Sequence, residues 1–359
     1  MRPALTPNKD NASKRRAAPV RRVLLHRIVR KAIFWDHLPY TVQATLRQAI
    51  NRVLAIGGYA VSKDKQVTRP KSTDYSISVP FEFKNAPPVH PPKLGVICHL
   101  YHEDVAAEIA RYLTNITLPF ALFVSTDSHA KKDVIERQLT GSVARVAFEV
   151  RVTENRGRDI APKLITFRDV YEQFELVLFL HSKRSDHRRA LKNWRKFLLE
   201  NLVGSPAVVD SIVAAFTRFP DLGIVASQHF EPIRSAINWG NNFHIAAQFC
   251  ERIGLTLAPD HVLDFPSGSM FWARTRAIRP VLNLQLSLQD FDVEAGQTDG
   301  TAAHAIERLF FHVCERAGYN WIKVVQSKKL ADRSAVIKVS SPEELVDFMN
   351  TKLLKLTRT

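Results

Sequence analysis

The chain has 359 residues, 45% of them hydrophobic, with 51 Lys and Arg against 35 Asp and Glu. That apolar share excludes a disordered chain and supplies core for one large α/β domain or two smaller ones. Residues 1–93 alone hold 18 Lys and Arg against 5 Asp and Glu, so the basic excess belongs to an N-terminal arm. Cys98, Cys250 and Cys314 lie far apart without CxxC or Cys/His spacing, which predicts buried, reduced thiols in a cytosolic compartment and no zinc site. No apolar run approaches the ~18 residues of a membrane span, and the N-terminus lacks a signal-peptide core, so a soluble body is expected.

Residues 1–19 are polar and basic and are expected to be disordered. Val20, Leu24, Ile28 and Val29 then recur near helical spacing, with Arg21, Arg22, Arg27, Arg30 and Lys31 on the remaining surface and Phe34 and Trp35 after them. A basic amphipathic helix over 20–35 suits an anionic membrane surface, each cation adding about 1 kcal/mol; a helix docked on the body is the plainer alternative. The arm shows no nucleic-acid fold signature and few interleaved aromatics, so no nucleic-acid partner is expected. A second helix over 42–56 stops at Gly57-Gly58. The arm therefore spans 1–60, and 61–93, rich in Lys, Ser and Pro, reads as a linker or a strap over the body.

From 94 onward strand and helix alternate. Strands are predicted over 94–100, 120–125, 146–152 and 176–180, with helices over 103–116, 131–139 and 161–171 between them. The last of these strands is a continuous apolar run that ends at His181, followed by a basic turn with Lys183 and Arg184 and a helix marked by Leu191, Trp194, Leu198 and Leu202. Further strands are expected over 222–226 and 269–273, and helices over 246–253 and 301–318. Residues 323–359 read as a strand or two and a closing helix over 342–354. This alternation predicts an α/β fold over 94–359, a mostly parallel central sheet with helices on both faces.

Five groups fall at strand ends or turns. Lys183 and Arg184 ahead of a helix N-terminus favour a phosphate, with a solvated basic loop as the alternative. Asp127, within Ser125-Thr126-Asp127-Ser128, suits a ribose or base, or else a turn and helix cap. The run Glu154-Asn155-Arg156-Gly157-Arg158-Asp159 packs two guanidiniums and an Asp around one Gly, a phosphate-binding pattern unless the charges pair internally. Ser267, Gly268 and Ser269 lead into a strand and permit close backbone approach to a ligand, or form a plain β-turn. Asp299 or Thr298 would cap the helix that follows. His304 and Glu307, three apart, are expected on a face away from Ile306 and Leu309, and a carboxylate here could serve as a general base.

Through CHLYHED, ENRGRDIAP, LFLHSKRSDH, the helix at Trp194, SGSMFWAR and QTDGTAAHAIERLF, from about Leu94 to Trp321, the sequence resembles the rhamnan synthesis protein F family of bacterial cell-surface polysaccharide assembly. The resemblance implies a glycosyltransferase with an A-type nucleotide-sugar fold. It would move rhamnose or a similar deoxysugar from a nucleotide-diphosphate donor to a lipid-linked glycan, peripheral on the inner face of the plasma membrane. Where such enzymes end a strand in Asp-x-Asp, this chain has His181-Ser182-Lys183, which implies leaving-group stabilisation by cations and no cofactor. Asp186 stays open as a metal ligand. The resemblance further implies donor binding by Asp127, Asn155, Arg156, Arg158, Asp159, His181 and Lys183. It places Ser267, Gly268, Ser269, His304 and Glu307 on the acceptor side, with Asp299 first and Glu294 second as catalytic base. A non-catalytic binding or scaffold subunit that keeps the fold is the alternative.

Overall fold

A computed structural model describes residues 69–84, 88–142, 146–182, 191–260, 262–297, 299–330 and 333–356. The expected arm over 1–60 and the basic turn with Lys183, Arg184 and Asp186 lie outside the described residues, as does Thr298. The strands are β1 (Ser76–Ser78), β2 (Leu94–His99), β3 (Phe120–Thr126), β4 (Phe148–Val152), β5 (Leu176–His181), β6 (Leu222–Ser227), β7 (Phe271–Arg274), β8 (Asn320–Val325) and β9 (Val336–Ile337). They form one sheet in the order β4-β3-β2-β5-β7-β6-β8-β1-β9.

All six residues of β2, β5 and β6 are buried. This is why these stretches read as unbroken apolar runs: helices cover both faces, and neither face needs polar side chains. On one face Val96, Cys98, Leu176, Leu178 and Leu180 pack with residues of helices Ala106–Leu113, His129–Ser142, Trp194–Val203 and Pro206–Arg218. The other face is aromatic, with Phe123 on Phe167, Phe179 on Tyr171 and Phe271, and Phe271 on Phe310. All three cysteines are free and buried. Among the described residues no single helix is long and apolar enough to cross a membrane.

Among the described residues the sheet is mostly parallel, as expected, and becomes mixed at β7, which runs antiparallel to β5 and β6. Three expectations need correction. Part of the segment expected as linker enters the sheet as β1, where Ile77 pairs with both Val324 and Ile337, and Ile77, Val79 and Phe81 are buried at strand alternation. The expected helix over 161–171 is a π-helical turn, Pro162–Thr166, followed by a 3-10 turn, Arg168–Gln173; the apolar positions Leu164, Phe167, Val170 and Tyr171 repeat at three-to-four spacing in either form. The helix expected over 301–318 breaks into Ala302–Glu307 and Phe310–Arg316. There the Arg308 guanidinium takes the His304 carbonyl that its own N–H would need in an unbroken helix, and that N–H turns to Ala305 instead. Helices Pro206–Arg218 and Thr275–Leu282 were not anticipated.

One ion cluster is buried within the sheet. Lys323 on β8 has a fully buried side chain and donates to Asp264 at 2.7 Å and to Asp74, which Arg234 also meets at 2.7 Å. Burial alone would raise both carboxyl groups; the Lys323 ammonium, the strongest opposing influence, acts with His229 beside it to hold both below the usual carboxylate range. Lys323→Met is therefore expected to lower stability by about 3–5 kcal/mol in urea unfolding, by leaving two carboxylates without their common cation. Adding Asp74→Asn and Asp264→Asn should recover more than half of that loss, and a single variant as stable as wild type would rule the charged arrangement out.

Candidate functional site

Strand β2 lies between β3 and β5, and the chain winds outward from it in both directions, so the carboxyl ends of β2 and β5 border the switch point of the sheet. Open α/β sheets bind ligands there. His99 and His181 end these strands as register partners. His99 shares a 3.0 Å hydrogen bond with Ser125 at the end of β3, and burial lowers its pKa to about 4, against the pull of Asp159, so it is neutral. His181 donates through Nε2 to the Gly268 carbonyl at 2.7 Å. Asp127 follows β3 and pairs with Lys131 at 2.7 Å; the cap on the following helix comes from Ser128, whose hydroxyl accepts from Lys131 N. The described helix that follows the basic turn is Trp194–Val203.

The loop after β4 is densely charged, with Glu154, Arg156, Arg158 and Asp159. Gly157 has φ of 64°, and a Cβ there would stand 2.4 Å from Phe291, so only glycine lets the loop lie against the 291–294 segment. That contact continues as a bridge between Arg156 and Val293 and as a 3.1 Å bond from Arg158 N to Glu294 Oε1. Asn155 lies half-buried in the same loop. Arg156 pairs with Glu154, and Arg158 meets Glu294 at 3.7 Å and the Gln297 carbonyl. Burial raises the Glu294 carboxyl above the ordinary range against the pull of Arg158, and Asp292 and Asp159 add to the rise. Asp159 meets Lys163 at 3.1 Å, on the π-helical turn.

The 267–269 turn crosses the top of β5. Gly268 and Ser269 both have positive φ, 89° and 58°. Gly268 N donates to Glu307 at 2.9 Å, and Ser269 accepts two bonds from Lys163. Ser267 is joined to His229 Nδ1 at 2.8 Å, and His229 Nε2 donates to Asp264 at 3.0 Å. Burial, with Lys323 next, lowers the His229 pKa, so the ring is neutral and Nδ1 accepts the Ser267 hydroxyl. The buried ion cluster of the sheet thus reaches the turn.

Asp299 does not cap the helix after it. Thr301 does so, its hydroxyl accepting from His304 N. Asp299 instead accepts from Asn241 N at 2.8 Å and from the Asn242 amide, and stands 3.6 Å from Arg308. His304 is buried, not on an outward face, and its Nδ1 lies 2.7 Å from Thr301 Oγ1.

One run of contacts therefore connects Asp159, Ser269, Gly268 and Glu307, with Arg158 and Glu294 beside Asp159. Asp299 joins the rim through Arg308. Lys163, His99 and His229 were missed by sequence reasoning. The signal for Lys163 was one charge inside the apolar run Ile160-Ala-Pro-Lys-Leu-Ile165, and for His229 its place just past an apolar strand, as for His181. Among the described residues no group of three His, Cys, Asp or Glu side chains is arranged to hold a metal. At the end of β5 His181 is bound to Gly268, and the Ser182 hydroxyl accepts from His102 N, so these two side chains do not form a divalent-cation site.

Comparison with known proteins places this chain in a family. The chain is 34% identical over 338 residues to an uncharacterized protein WxcX of Xanthomonas campestris pv. campestris strain B100, and equally to its counterpart in strain ATCC 33913. The match covers 90% of the chain and 47% of the relative, so the chain spans about half the length of the curated relatives it matches. The model of rhamnan synthesis protein F matches residues 69–319, taking in β1 and every described site segment from His99 to Arg308, and the chain belongs to that family.

Proposed function

We propose that this protein is a glycosyltransferase of polysaccharide synthesis, moving rhamnose or a similar deoxysugar from a nucleotide-diphosphate donor to a lipid-linked glycan. The observation that carries the proposal is the convergence of the 154–159 loop, the 267–269 turn and Glu294 at the carboxyl ends of β2 and β5. Asp127 takes the nucleoside. Arg156 and Arg158, with Lys183, hold the diphosphate and stabilise the leaving group, the role two acidic metal ligands would otherwise support. The basic 20–35 segment holds the protein on the anionic inner membrane face, where its acceptor lies.

Glu294 is the better-supported base for the acceptor hydroxyl. A base works best when its pKa approaches the working pH, and burial raises Glu294 in that direction. Asp299 has both oxygens engaged by Asn241 and Asn242, which suits it to holding the 240–242 turn. A binding subunit without turnover is the second reading, favoured by the absence of an acidic pair in His181-Ser182 at the end of β5.

A screen of radiolabelled nucleotide sugars, scored for hydrolysis as well as transfer, separates the two readings: no turnover of any donor overturns the enzyme. With the active donor, Glu294→Gln is expected to lower kcat at least about 100-fold while nucleoside diphosphate affinity stays unchanged. Asp299→Asn is expected to lose stability and keep kcat within about tenfold, since it unpairs the Asn242 amide. Near-normal turnover in Glu294→Gln would reject it as base. Activity should persist in excess EDTA; a strict Mn²⁺ or Mg²⁺ requirement would refute leaving-group stabilisation by cations alone.

A further inference from the structure

We infer that Lys163 is a positioning residue for sugar transfer, fixing Asp159 and the 267–269 turn against the end of β5; this inference rests on the glycosyltransferase reading of the site. Lys163 is 3% exposed and lies in an apolar segment, where a leucine or methionine would cost less. Its ammonium has three N–H donors, and three acceptors meet it: Asp159 Oδ2 at 3.1 Å, the Ser269 carbonyl at 2.9 Å and Ser269 Oγ at 2.6 Å. No donor is left for a ligand, so Lys163 acts through what it holds.

What it holds is strained or charged. Ser269 has φ of 58°, a left-handed backbone that a residue with a Cβ adopts at a cost, and such strain persists only where the surroundings fix it. Lys163 binds that residue twice. From Ser269 the restraint passes to Gly268, whose carbonyl is held by His181 and whose N–H is held by Glu307. On the other side Asp159 adjoins Arg158 in the loop assigned to the diphosphate. The two halves of the site thus share one cation. The wide π-helical turn, with Lys163 N on the Asp159 carbonyl, directs the side chain across the sheet end, and the rings of Phe179, Phe271 and Phe310 lie 4.8, 5.2 and 5.4 Å from its nitrogen.

The groups facing Lys163 are Asp159 on its own turn, Glu307 from helix Ala302–Glu307, neutral His99 at the end of β2 with His181 beyond it, and Tyr171, which donates to the Lys163 carbonyl. Three acceptors around the nitrogen call for the ammonium form, and burial lowers its pKa with Asp159 opposing, so the positioning contact is lost as pH rises through a value below that of an ordinary lysine.

The test compares wild type, Lys163→Met, Lys163→Arg and, as a milder change without loss of charge, Ser269→Ala, using the full chain. Lys163→Met is expected to speed amide exchange over 265–271 about tenfold with the rest of the sheet unchanged. With the donor found by nucleotide-sugar screening it should lower kcat about 100-fold and change KM by less than about threefold. Ser269→Ala should move both in the same direction by less. Lys163→Arg should restore part of the rate and shift its alkaline limb to higher pH, which a purely structural role would not do. Wild type that turns over no nucleotide sugar defeats the transfer reading and the inference together. Active wild type with unchanged exchange and kcat in Lys163→Met defeats the inference alone. If Lys163→Met does not fold, unchanged exchange and kcat in Ser269→Ala, or an unmoved alkaline limb in Lys163→Arg, defeats it equally.

Discussion

Burial of β2, β5 and β6 on both faces constrains everything else in this molecule. A strand covered above and below places polar side chains at its ends unless, like Lys323 on β8, they meet full partners, and here the strand ends carry His99, Ser125, Thr126, His181, Ser182, Ser227, Gln228 and His229. Each is itself buried, so its partners come from neighbouring strand ends and loops: Ser125 holds His99, Leu100 accepts from Thr126, and the 267–269 turn takes both His181 and His229. Loops drawn onto the sheet edge by such bonds are rigid, and a rigid edge is what a preorganised site needs.

Much of this was legible in the sequence, for one reason: a strand buried on both faces leaves an apolar run that no other element imitates at that length. The runs at β2, β3, β5 and β6 were found within a residue or two, and the charged clusters after β3 and β4 stood out as candidates because polar residues interrupt so apolar a chain. The failures have physical causes too. Strand β1 is three residues long, set in a stretch rich in Lys, Ser and Pro, and its membership depends on β8 and β9, far away in sequence. The break at Arg308 depends on a side chain taking a backbone acceptor, which leaves the apolar period intact. The direction of β7 is decided by how the preceding connection runs, and four residues carry no mark of it.

Within the candidate site, Asp299, which was expected as a helix cap, and Lys163, which was missed, share one feature. Sequence reasoning assigns charged residues to ligands and capping residues to helix ends, whereas Asp299 holds a turn across space and Lys163 holds another. Both act between segments more than fifty residues apart, beyond the reach of any local pattern. The residues that make these ties lie within the segment the family model matches.

Strand β1 bears on how this protein is made. It sits between β8 and β9, and its neighbour Asp74 is bound to Lys323, a residue 249 positions later. During synthesis Ile77 therefore cannot complete its pairing until β8 and β9 have emerged. Pairing across so long a stretch of chain must first overcome the entropy of closing it. The earliest part of the body to be translated is among the last to be secured.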